Sequence, residues 1–515
     1  MLARVICAAT LGLEVRKIEV EVDVTSRGFP TFKIVGLPDK AVEEAKERIR
    51  TAIKNSGVSF PDHKVIINLA PADLPKMGPS FDLPMALGIL IASGQIQAKL
   101  SKTLVSGELS LDGSVRRVNG VLPVVMAAQK RGFSQVFIPR ENSAEAAIIG
   151  GIDIYPIKTL KQLLFHFQGI RSIPIASHTD FSQIRDDREA EFDLADIVGQ
   201  DNAKRALTIA AAGGHNLFMK GPPGAGKTML ARALPGILPA MTKEEALEVT
   251  KIYSISGNLP PHQSLVKTCP FRSPHHTISR VGLIGGGTHP LPGEISLSHR
   301  GALFLDEFPE FPRSVLEALR QPMEDGQVTV SRAAGTCTFP AKFILIAAAN
   351  PCPCGYLGDP KHECHCLPGQ IARYRKRISG PMMDRIDLHL EVPAVEVEKL
   401  TGEKEDKGKK TSSQVRKEVE GARLRQQKRF AKNKLICNAE MGTRQVKQYC
   451  QLFSDAQRLL NQATHQLGLS ARAFYRLIKV GRTIADLQGE EKISVTHIAE
   501  ALQYRTQDTK KLTTY

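Results

Sequence analysis

Gly221-Pro222-Pro223-Gly224-Ala225-Gly226-Lys227-Thr228 fits the pattern G-x-x-x-x-G-K-[ST] at every specified position. Residues of these types at this spacing bind phosphate. The glycines let backbone N–H groups converge on phosphate oxygens at a helix N-terminus, where partial positive charge favours an anion. Lys227 is then placed to reach β- and γ-phosphates, and the Thr228 hydroxyl to ligate Mg²⁺. Further on, Gly301-Ala-Leu-Phe-Leu-Asp306-Glu307 is an apolar run that ends in two acids. Asp306 suits the Mg²⁺ shell, and Glu307 suits polarisation of an attacking water. A second apolar run, Phe343-Ile-Leu-Ile-Ala-Ala-Ala-Asn350, ends in a single amide just before Pro351 and Pro353. The cofactors these residues imply are ATP and Mg²⁺.

A second kind of chemistry follows directly. Cys352-Pro-Cys354 and Cys364-His-Cys366 are two close pairs separated by nine residues. Such pairs, bridged by a short loop containing Gly and Pro, can bring four thiolates around a tetrahedral Zn²⁺, with His362 and His365 as spare ligands. The alternative is a set of reduced loop cysteines without metal. Nine cysteines are an odd number and do not suggest a disulfide framework. They point to a reducing, cytoplasmic setting.

These groups need elements to position them. His215-Asn-Leu-Phe-Met219 reads as a strand entering the phosphate loop, and Met229 to Leu234 as the start of an apolar-faced helix leaving it. The 515 residues divide into an α+β domain at 1–175, a polar linker at 176–191, a nucleotide-binding α/β core at 192–395 and a helical domain at 396–515. In the first domain, alternation from Val15 to Val24 and over Lys64–Leu69 predicts strands. A helix should open at Asp39 with Val42, Ala45, Ile49, Ala52 and Ile53 on one face. Net charge is +16, and residues 401–434 alone hold twelve Lys/Arg against five Asp/Glu. A polyanionic partner such as nucleic acid follows from that balance. No apolar run is long enough to span a bilayer, so no membrane partner is expected.

Several stretches resemble known families. Pro75-Lys-Met-Gly-Pro-Ser80, with the apolar helix that follows, resembles the nucleophile segment of Lon-type proteases, as Ser106 to Val115 resembles the segment before their catalytic lysine. The lysine position holds Leu122, so the resemblance implies a Lon-like fold without the Ser–Lys chemistry. The core resembles AAA+ ATPases. In them an Ile-Val-Gly-Gln stretch like that ending at Gln200 lies beside the adenine, and an Asn at the position of Asn350 orients water; here that residue could equally cap the next turn. Met382-Met-Asp-Arg385-Ile-Asp-Leu resembles the segment that carries an arginine finger into a neighbouring subunit, with Arg377 as runner-up. Arg472, beside Ser470, lies where a lid places the sensor-2 arginine that reaches the γ-phosphate from above.

Two insertions refine the resemblance. Phe271 to Gly287 reads as a Gly-rich extended insert in the second helix, and Val328–Arg332 with Thr336–Phe339 as a hairpin before Asn350. Both characterise the branch with magnesium chelatase ATPases and replicative helicases, whose loops grip substrate in a central pore. His275, His276, Arg280 and Arg332 are the expected DNA-phosphate contacts, unless they only finish turns. From end to end the chain is similar to the ComM/YifB family of magnesium-chelatase-like AAA+ ATPases. That resemblance implies a homo-hexameric ring acting on single-stranded and branched DNA, with recombination proteins as possible partners, as a branch-migration helicase in natural transformation. A chelatase-type or protein-remodelling motor and a Lon-like ATP-dependent protease are the alternatives.

Overall fold

A computed structural model describes residues 2–25, 29–74, 76, 78–184, 191–260, 263–288, 290–332, 335–359, 362–394, 410–433 and 435–505. The first sheet has seven strands, in the order Phe32–Val35, Lys64–Ala70, Glu14–Thr25, Leu2–Leu11, Thr103–Val105, Gln135–Pro139, Asp153–Ile157. The two long strands at its centre pair antiparallel, from Leu2 opposite Asp23 to Leu11 opposite Glu14. Asp39 accepts a hydrogen bond from Val42 N at 2.8 Å and so caps the helix Lys40–Asn55. That helix buries Val42, Ala45, Ile49, Ala52 and Ile53, the expected face. The helix Asp82–Ala92 is buried all round, as its apolar run from Leu83 onward requires, and its buried Asp82 is paired with Arg48.

Ser80 lies in a single 3₁₀ turn, Pro79–Phe81, ahead of that helix. Leu122 is fully buried in the helix Val121–Lys130. An apolar core side chain therefore occupies the position for which the Lon resemblance implies a lysine. Pro75 and Met77 of the Lon-like segment lie outside the described residues.

The core sheet runs Phe271–Arg272, Ala302–Leu305, Ile344–Ala349, Leu217–Lys220, Leu388–Glu391, with every neighbouring pair parallel. Its interior strands are continuous apolar runs because helices cover both faces. Phe271–Arg272 belongs to this sheet as its edge strand, and Arg280 opens a short helix, Arg280–Ile284, capped by Ser279. The stretch expected to be one extended insert is thus strand, loop and helix, followed by the small ladder Gly285–Gly286 with Leu291–Pro292. The later hairpin is present, pairing Gln327 with Pro340 through Arg332 with Gly335.

Helices Ser412–Arg429, Thr443–Tyr449, Ser454–Leu467, Ala471–Gln488 and Val495–Gln503 follow. Val415, Val419 and Ala422 share one apolar cluster with Leu230, Leu234 and Leu477, so the helical region is packed onto the nucleotide core. Residues 401–409 of the basic stretch lie outside the described residues. Of the expected linker, 185–190 are likewise outside, but its first part is docked: Lys267 Nζ donates to the Ile184 carbonyl at 2.7 Å, and Phe181 and Ile184 pack on a cluster containing Ile148 and Val249.

Candidate active site

The phosphate loop follows the C-terminal end of Leu217–Lys220, where parallel α/β sheets bind ligands. Gly224 and Gly226 adopt φ of 75° and 85°, in the left-handed region that glycine enters without strain. Gly221 is needed for a different reason: a Cβ there would stand 2.1 Å from the Val392 carbonyl oxygen. The helix Lys227–Ile237 begins at the lysine itself, two residues earlier than its apolar pattern suggests. Lys227 Nζ donates to the carbonyls of Gly221 (2.7 Å) and Pro222 (2.8 Å) and to Asn350 Oδ1 (3.1 Å). Burial pushes its pKa down to about 8, and the Asp306 charge opposes the shift. Thr228 Oγ1 donates to Asp306 Oδ2 at 2.7 Å. The structure thus brings Lys227, Thr228, Asp306 and Asn350 together from three separate segments.

Glu307 follows with φ of 50°, an uncommon conformation for a non-glycine residue. Its carboxylate is half exposed and lies 3.4 Å from His276 Nδ1. His276 was expected on DNA; here it faces the Glu307 carboxylate. The His275 ring lies tilted beside that of His276, with centroids 4.1 Å apart.

Arg385 and Arg472 meet on one carboxylate. Arg385 Nη2 lies 2.8 Å and Arg472 Nη2 2.7 Å from Glu324 Oε1. Arg385 is buried, and Nη1 also donates to the Pro381 carbonyl at 2.6 Å. Its backbone carbonyl accepts from Asn216 Nδ2 at 3.2 Å. Asn216 precedes the strand whose far end carries the phosphate loop, a separation of roughly 13 Å for four strand residues. Arg472 lines a cleft of about 750 Å³ with Asn216, Glu324, Asp387 and Arg476, at that same N-terminal edge of the sheet. Within its own chain, then, Arg472 does not reach over the phosphate loop, contrary to its expected role. Nor does Arg385 stand free at the surface as an extended finger; Arg377, half exposed, pairs with Glu310. Glu324 had no signature in the sequence: it sits in an ordinary helix, Arg320–Asp325, far along the chain from both arginines.

Comparison with known proteins settles the lineage. The model for magnesium chelatase, subunit ChlI, matches residues 193–400. A second model, subunit ChlI of Mg-chelatase, matches 20–142, and that for the ChlI C-terminal region matches 409–505. Competence protein ComM of Haemophilus influenzae is 45% identical over 98% of this chain and 97% of its own length. YifB of Escherichia coli is 43% identical over 97% and 96%. The chain belongs to the ComM/YifB family of magnesium-chelatase-like AAA+ ATPases. Lon protease 2 of Bacillus subtilis is similar over a shorter stretch, 31% identical over 28% of this chain and 29% of its own.

As a ComM/YifB-family core, the site fits ATP and Mg²⁺. The ammonium of Lys227 is lodged among carbonyl oxygens that a phosphate can replace, and Thr228 with Asp306 offers an oxygen pair for the cation. The four cysteines also converge. Their sulfurs all lie within 4.8 Å of one another, an arrangement able to hold a metal ion. His362 stands apart from that cluster, its ring tilted against Tyr356 with centroids 4.8 Å apart and its Nδ1 3.4 Å from Asp359. Arg280 and Arg332 are exposed, and a Cβ on Gly286 would stand 3.0 Å from Arg332 Nη2, so the segment after the Arg280 helix touches the later hairpin at Arg332. Among the described residues no helix is long and apolar enough to cross a membrane.

Proposed function

We propose that this chain is the subunit of an ATP-driven hexameric ring that acts on single-stranded and branched DNA, as a branch-migration helicase in recombination during natural transformation. The observation that carries the ring is the separation just described. Lys227, Thr228, Asp306 and Glu307 stand at one end of the core sheet, and Arg385 with Arg472 at the other. One copy holds half of a hydrolytic site, and a neighbour's opposite edge supplies the rest. In that assembly Lys227 binds the β/γ-phosphates, Thr228 and Asp306 hold Mg²⁺, Asn350 orients water and Glu307 polarises it. Arg385, released from Glu324, neutralises charge on the neighbour's transferring phosphoryl group, and Arg472 contacts the same phosphate.

The DNA assignment draws on the net charge of +16, on exposed Arg280 and Arg332, and on the name of the Haemophilus relative. Contacts of this type go to phosphates, so binding should weaken steeply with salt and ignore sequence. The test is ATP turnover with and without branched DNA, with Glu307→Gln as blank. DNA should stimulate turnover severalfold, and strand exchange should stop in the variant, as expected when a group acting in the transition state is removed. Turnover indifferent to DNA would overturn the assignment in favour of a protein-remodelling motor.

A further inference from the structure

We propose that Cys352, Cys354, Cys364 and Cys366 hold one zinc ion whose role is to pin the ATP site, fixing Asn350 and seating the cysteine loop on the phosphate loop. The metal half of this stands on distances. Cys352 Sγ lies 3.3 Å from Cys354 Sγ and 3.7 Å from Cys364 Sγ, and Cys354 Sγ lies 3.6 Å from Cys364 Sγ. A tetrahedron with Zn–S bonds of about 2.3 Å has S–S edges of about 3.8 Å. Two of the three separations lie close to those edges and the Cys352–Cys354 one is shorter, while all three are far from the bonded distance of about 2.05 Å in a disulfide. The Cys354 N–H also points at Cys366 Sγ, at 3.4 Å, a contact that favours a thiolate acceptor. Four thiols from two segments, three of them only partly buried, converge here without an apolar core to gather them.

The coupling half stands on where the loop begins and ends. Asn350 accepts from Lys227, and Cys352, fully buried, follows two residues later. Gly355, at φ 88°, donates its N–H to the Cys352 carbonyl at 3.0 Å, and a Cβ there would stand 2.6 Å from the Pro223 ring. The cysteine turn therefore rests directly on the phosphate loop. At the other exit, Cys366 leads into the helix Pro368–Arg375, whose Tyr374 is buried. Arg377, just beyond it, pairs with Glu310, three residues after Glu307. A metal joining the two cysteine pairs ties the Asn350 turn to the segment that buttresses the Glu307 turn. This role rests on the nucleotide site proposed above.

The test takes full-length protein purified without chelators. Atomic emission should find one zinc per chain in the wild type and none in Cys364→Ser/Cys366→Ser. That variant should still bind a fluorescent ADP analogue, with turnover down by about tenfold or more, as outer-shell losses usually cost. Zinc-free wild type that takes up no added zinc would overturn the site. A zinc-free variant with wild-type turnover would overturn the coupling. Because loss of zinc can also cost the fold, a second reading uses no variant. Wild type reconstituted with Co²⁺ should show tetrahedral thiolate absorption that changes when ADP binds, and an unchanged spectrum at saturating ADP would overturn the coupling. Metal content and the cobalt spectrum do not depend on hydrolysis, so a wild type that proves inactive would count against the motor and leave the zinc result standing.

Discussion

Lys227 carries its charge at a cost, because burial has drawn its pKa from 10.5 down to about 8. The folded value lies below the unfolded one, so the cost is fully present below about pH 8 and is relieved as pH rises toward 10.5. A bound polyphosphate favours the ammonium and reverses the shift. Nucleotide binding above pH 8 must therefore take up a proton, and affinity should fall by up to about tenfold per pH unit from there upward. Calorimetry at pH 7 and pH 9 in buffers of different ionisation enthalpy checks this, with uptake near zero at the lower pH and approaching one proton at the higher. Lys227→Arg should abolish the uptake, since arginine stays charged. Equal uptake in the variant would assign the proton to another group. That Lys227, Thr228 and Asp306 would lie together was legible in the sequence because each sits in a local pattern with one geometric meaning. The shared carboxylate of Glu324 was not, since no spacing rule joins residues so far apart in the chain.

At the scale of elements, the loop between Phe271–Arg272 and the helix Arg280–Ile284 joins that helix to the Glu307 turn. Its His276 lies 3.4 Å from Glu307, and its far end carries Arg280 beside the hairpin ladder. A pull on the insertions by DNA would move His276 off the carboxylate. His276→Ala should accordingly raise turnover without DNA and shrink the stimulation by DNA. An exposed pair is worth about 0.2–1 kcal/mol, so the basal increase should be about 1.5- to 5-fold. Unchanged basal turnover would show that the pair restrains nothing. The sequence placed this segment correctly between the phosphate loop and Asp306 but misread its form. A two-residue edge strand has no alternation to detect, and Gly282 and Gly285 mask a five-residue helix. Longer elements, such as Lys40–Asn55 with its Asp39 cap, were legible to their buried faces because cap, periodicity and length agree.

Across the whole molecule, the described residues pack the first domain onto the nucleotide core at its longest strand turn and around Glu145. The turn between its longest strands touches the later hairpin: a Cβ on Gly12 would stand 2.9 Å from Cys337 Cβ, and Leu11 and Leu13 pack on the cluster that holds Phe339. Below this, Ile148 is buried among Met241, Ala246 and Val249, and Glu145 Oε2 accepts from Ser254 Oγ at 2.6 Å. The first domain thus rests against the hairpin that carries Arg332. Desolvation raises the Glu145 carboxyl above its ordinary pKa, offset in part by Ser254 and Asn142. For an acid whose folded pKa is raised, the charged form costs stability at neutral pH, and that cost is relieved as pH falls through the folded value. Glu145→Gln should therefore flatten the acid side of the stability profile and keep the domains docked. Glu145→Ala should cost about 1–3 kcal/mol, because Ser254 loses its buried acceptor. A cycle with Ser254→Ala, read by denaturant unfolding, should return a coupling of about 0.5–3 kcal/mol. If this packing transmits force, Glu145→Ala should also weaken DNA stimulation while leaving basal turnover intact; zero coupling together with unaltered stimulation would mean the first domain rides on the motor without supporting it.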